Sequence, residues 1–184
     1  MRWRANGDAS NAIDRPSVEA TEAEVDAAAY RSLATQVLAE ARRLYPDDHP
    51  EVAARALYGA ISHAAAGEME QALAIVETIL PALDGVPGYR AEWRDALSLR
   101  AYIHNFMGEH AESLALNEQL VADYAADTGP TDDDHPVVLS NLAASYFEHG
   151  RLDDALERNA QAIEMGLTFD PVPPAVAVWS ANRV

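Results

Sequence analysis

The chain of 184 residues contains no cysteine and no lysine. Without cysteine there is no disulfide, no thiol nucleophile and no thiolate zinc site. Without lysine there is no phosphate-loop lysine, no Schiff-base residue and no lysine general base. Aromatic residues are sparse at 7%, and strand-like runs of β-branched residues are nearly absent. No stretch approaches the roughly 18 apolar residues of a membrane helix. The opening MRWRANGDAS carries two arginines but no apolar segment behind them, so no signal peptide is expected. Positive charge is scarce too: thirteen bases face thirty acids, giving a formal net charge of −17. That balance opposes nucleic acid, whose phosphates need clustered cations, and opposes an anionic membrane surface. A cytoplasmic protein is expected.

What the chain has is alanine, roughly a fifth of all residues, within a hydrophobic content of 49%. Alanine is the best helix former and lets helices approach closely, so the bias favours an all-α build. The hydrophobic content excludes a wholly disordered chain.

Self-similarity organises most of the sequence. Gly67, Gly108 and Gly150 are spaced by 41 and 42 residues. Seven residues ahead of each stands Ala60, Ala101 or Ala143, and four ahead stands a ring, His63, His104 or Tyr146. Five and six residues after each come a small residue and a leucine: Ala72 and Leu73, Ser113 and Leu114, Ala155 and Leu156. Further on come Ile79 with Leu80, Leu120 with Val121, and Ala162 with Ile163. Each unit reads as two amphipathic helices folded back at the glycine. Such a pair cannot bury both faces alone, so the units must stack.

The coarse reading is a polar N-terminal tail over residues 1–16 and a leading helix over 22–45. Thr21 with Glu24 forms a capping box at that helix's start. Hairpins follow over 50–81, 89–126 and 136–165, joined by the breaker-rich stretches PALDGVPG and TGPTDDDHP. The tetrapeptide DDHP occurs twice, and its aspartates are expected to satisfy free amides at helix N-termini. Residues 171–184 read as a proline-rich link and a helix that caps the array. The other reading is that they start another unit.

This pattern resembles the tetratricopeptide repeat (TPR), in the longer variant of about 42 residues found in kinesin light chains and in many bacterial signalling and regulator proteins. The resemblance spans roughly residues 23 to 165 and implies a repeat domain over about 17–170. It implies antiparallel hairpins stacked as a short right-handed α-solenoid. Departures are Asn117 and Asn159 where the family usually places an aromatic residue, and Gly59 and Arg100 where the third unit has Leu142.

The resemblance also implies a non-enzymatic scaffold that grips a protein or peptide segment on its concave face. Carried over by position, the groove holds Tyr58 and Ile61, then Tyr102, Asn105 and Phe106, then Ser140, Asn141, Ala144 and Phe147. Asn141, in SNLA, matches an asparagine that holds a bound peptide's backbone amides in the kinesin-light-chain pattern. The competing reading is that Tyr102 and Phe147 pack against adjacent helices. A carboxylate-clamp mode is not expected, since lysine is absent and the aligned positions include Asp95 and Glu148. Acidic surfaces favour a partner with basic flanks. The alternative function is a regulatory sensor that binds a small molecule or short signalling peptide. Self-association would run through the terminal hairpin.

Neither metal nor cofactor is expected. His63 and His104 occupy the packing place of Tyr146, and Asp132 to His135 read as a helix cap rather than a cation loop. No nucleophile–base arrangement and no dinucleotide fingerprint occurs, so no enzyme is expected.

Overall fold

A computed structural model describes residues 27–127 and 134–169. The Thr21–Glu24 box, part of the Asp132–His135 run and the segment 171–184 lie outside the described residues. Among those described there are seven helices and no strand. They are α1 (Ala27–Leu44), α2 (Pro50–Ala65), α3 (Met69–Leu83), α4 (Arg90–Phe106), α5 (His110–Ala126), α6 (His135–Glu148) and α7 (Leu152–Gly166).

The three repeat glycines are the turns. Gly67, Gly108 and Gly150 adopt φ of 78°, 80° and 71°, a left-handed conformation that glycine enters without steric cost. At the first and third turns the chain closes with a bond spanning five residues. Glu68 N donates to His63 O and Arg151 N to Tyr146 O, each at 2.9 Å, which satisfies a carbonyl left over from the helix end.

Four helices, α1 to α4, form one compact unit ending at Met107; α5 to α7 belong to a second that begins at Gly108. In the first unit α2 packs on α1, α3 and α4, and α3 packs on α4. The core there is Leu57, Ala60 and Ile61 of α2, Val76, Ile79 and Leu83 of α3, and Leu99 and Ile103 of α4. In the second unit α6 packs on both α5 and α7. Leu142, Tyr146 and Ala155 form its centre, with Leu114 and Val121 against them.

Two local expectations are corrected. At the first DDHP the histidine caps: His49 is the N-cap of α2, its Nδ1 accepting Glu51 N–H at 3.1 Å, while at the second Asp134 is the N-cap residue of α6 without a side-chain cap bond. The breaker Pro81 does not end α3 either. It sits in the last turn, and the helix continues to Leu83, whose side chain is 1% exposed. Burial of that leucine offsets the bond that proline cannot make.

Candidate functional site

Packing consumes one side of α4. Ala96, Leu97, Leu99, Ala101 and Ile103 are buried, so residues on the far side are left to solvent. Tyr102 and Phe106, four residues apart, stand there as neighbours. Their ring centroids are 6.4 Å apart at a tilt of 40°, within the range of favourable ring pairs. Phe106 is 62% exposed, and Asn105 beside it is partly exposed.

On α2 the two expected groove residues diverge. Ile61 is 2% exposed, so its side chain belongs to the core rather than to a contact surface. Tyr58 is partly exposed and lies close to Tyr30 of α1. Burial, followed by the nearby Tyr58, pushes the Tyr30 hydroxyl up to about 12.

In the second unit α6 buries Leu139, Leu142, Ala143 and Tyr146. Ser140 and Asn141 are partly exposed, Ala144 is exposed, and Phe147 is 66% exposed. Tyr102, Asn105 and Phe106 are therefore together in one unit, and Ser140, Asn141 and Phe147 in the other.

Rings and carboxylates outside the expected set make further contacts. Tyr89, at the start of α4, donates its hydroxyl to Glu51 Oε2 at 3.0 Å, and Glu51 also pairs with Arg55. His49 stacks on Tyr45 at 4.4 Å, and His135 stacks on Tyr124 at 4.7 Å. The Tyr45–His49 stack forms in the connection between α1 and α2, where spacing carries no signal, and the Tyr89–Glu51 pair is 38 residues apart, so neither was readable from spacing. Among the described residues no three His, Asp or Glu side chains gather as a metal site would require. None of the described helices is long and apolar enough to cross a membrane.

The tetratricopeptide-repeat family model matches residues 94–167. No curated protein matches the sequence. Among solved structures, a candidate kinesin light chain of Podosopora anserina with nearly identical TPR-like repeats superposes with a TM-score of 0.65 at 19% identity. That match covers 83% of this chain and 74% of the other. BtubC (BKLC) from P. vanneervenii gives 0.69 at 17% identity, covering 86% of this chain and 65% of that one. Bacillus thuringiensis PlcR, solved with the peptide PapR7 and DNA, gives 0.59 at 17% identity over 77% of this chain and 50% of its own. At these identities the likeness is one of fold, a TPR-like helical repeat.

Proposed function

We propose that the chain, whose residues 94–167 match the tetratricopeptide-repeat family model, is a non-enzymatic adaptor that binds a protein or peptide segment through exposed side chains on the first helices of its hairpins. The observation that carries this is the Tyr102–Phe106 pair, with one ring 62% exposed on a helix whose other side is fully packed. Exposed aromatic rings of this kind supply the anchors that dominate interfaces. Asn105, Ser140 and Asn141 are partly exposed and carry the amide and hydroxyl groups that can fix a bound backbone. Phe147 offers a second apolar anchor on α6. The net charge of −17 favours a partner with basic flanks and disfavours nucleic acid. We place the protein in the cytoplasm.

A sensor role is the second reading. It is supported by the fold likeness to PlcR, which was solved with a peptide and DNA. A small ligand or short peptide would then take the place of the protein segment.

The test is affinity capture from the source lysate with the intact chain, repeated with Phe106→Ala and Tyr102→Ala. The adaptor reading expects discrete proteins that both variants lose. Capture equal in all three chains would refute binding at this pair. A dialysable small molecule that raises the melting temperature would support the sensor reading instead.

A further inference from the structure

A charged residue stands at a core position of α4. Arg100 takes the place that Leu142 fills in the third repeat and Gly59 in the first. Leu142 is 2% exposed. One helical turn to either side of Arg100 lie Ala96 and Leu97, then Ile103 and His104, and all four are buried. Arg100 itself is only partly exposed, and its Nε is buried without a hydrogen-bond partner.

Every other described arginine has a partner, as Arg55 has Glu51 and Arg151 has Asp154. Among the described residues Arg100 is the one arginine with none. The chain carries thirty acids against thirteen bases, so this isolation does not come from a shortage of carboxylates. A buried donor left unsatisfied destabilises a fold, and a leucine would fill the same place without that cost. Stability therefore does not account for an arginine here. Conflicts of this kind between residue type and place gather at functional sites.

We propose that Arg100 receives a carboxylate from outside the chain and is the anchoring charge of a second binding site on α4. A carboxylate matches the fork of a guanidinium, since its two oxygens can accept Nε–H and an Nη–H together. Amid buried neighbours that pairing is stronger than on an open surface. A singly charged carboxylate also suits a chain of net charge −17 better than a phosphate dianion, which the same field repels more strongly. Tyr102 is two residues further on, and such positions do not share a helix face. The site is thus separate from the ring pair and does not rest on the adaptor reading. The carboxylate is carried by an acidic side chain of a protein or by a small organic acid.

The test compares melting of the full chain in sodium chloride and, at equal ionic strength, in sodium acetate. Acetate at about five times its dissociation constant should raise the melting temperature by about 2–4 °C. Arg100→Leu, which keeps the fold because leucine fills this place in the third repeat, should show no acetate-specific rise. In a nitrogen-15 spectrum the Arg100 Nε–H signal, identified by its loss in Arg100→Gln, should move saturably with acetate. Arg100→Lys keeps the charge without the fork and should bind acetate at least about threefold more weakly. The blocked tripeptide acetyl-Ala-Glu-Ala-amide and its glutamine counterpart separate the two sources. Binding as tight as acetate's and lost with glutamine assigns a protein side chain; exclusion of the tripeptide while acetate binds assigns a small acid. Equal acetate shifts in the native chain and Arg100→Leu, or an Nε–H signal that acetate does not move, overturn the proposal. Phosphate binding more tightly than acetate at Arg100 overturns it as well.

Discussion

Glu68 lies against His63 across the first hairpin turn, Nδ1 to Oε2 at 2.5 Å, in the same repeat positions where Arg151 lies 4.1 Å over the Tyr146 ring in the third. The backbone bond that closes each turn joins the same two residues, so it sets their side chains together. One sequence position thus carries an acid–imidazole pair in one repeat and a cation–ring pair in another.

The Glu68 carboxyl is held below the ordinary carboxylate range, first by the hydrogen bond to His63 and then by Arg31 at 3.2 Å. A depressed folded-state value contributes stability above the unfolded value and loses it as pH falls through the folded one. The difference in melting temperature between the native chain and Glu68→Gln should therefore be steady above about pH 5 and shrink below about pH 4. A difference that stays flat down to pH 3 would show that Glu68 gains nothing from these partners.

Asn117 occupies a place where the family usually puts an aromatic ring, yet it is 5% exposed. Its Nδ2 donates to Ser145 Oγ at 3.0 Å between α5 and α6. Asn117→Ala should cost about 1–3 kcal/mol in denaturant unfolding, because a buried hydroxyl loses its partner. Combining it with Ser145→Ala should cost less than the sum of the two singles. Strict additivity would mean that the pair is not coupled.

Phe106 and Ile61 should separate binding from folding. Phe106→Ala should leave stability within about 0.5 kcal/mol, since the ring is 62% exposed, and weaken partner binding by about 1–3 kcal/mol. Ile61→Ala, at 2% exposure, should instead cost about 2–5 kcal/mol of stability. Equilibrium unfolding and binding titrations on both variants check the contrast.

His49 caps α2 and stacks on Tyr45. His49→Ala should cost about 0.5–2 kcal/mol, while Asp47→Ala and Asp48→Ala, both at exposed positions, should each cost far less. Equal losses at all three positions would show that the acids, and not the imidazole, hold this helix start.

The described helices were legible because their signals are local. Turn glycines recur at a fixed period, small residues and leucines follow at helical spacing, and alanine-rich segments leave no competing strand pattern. The ring pair of Tyr102 and Phe106 was legible for the same reason, being four residues apart on one helix. Which repeat positions face solvent was decided by tertiary packing. Ile61 and Tyr102 occupy the same place in successive repeats, yet one is buried and the other partly exposed, because burial depends on the helices that surround each one. The cap at His49 likewise followed from the path of the backbone and not from residue type. Asn117 with Ser145 and Tyr89 with Glu51 meet across 28 and 38 residues, distances over which spacing alone carries no information. The sequence by itself determined the helices and their turns; the packing of those helices decided which side chains are core and which are surface.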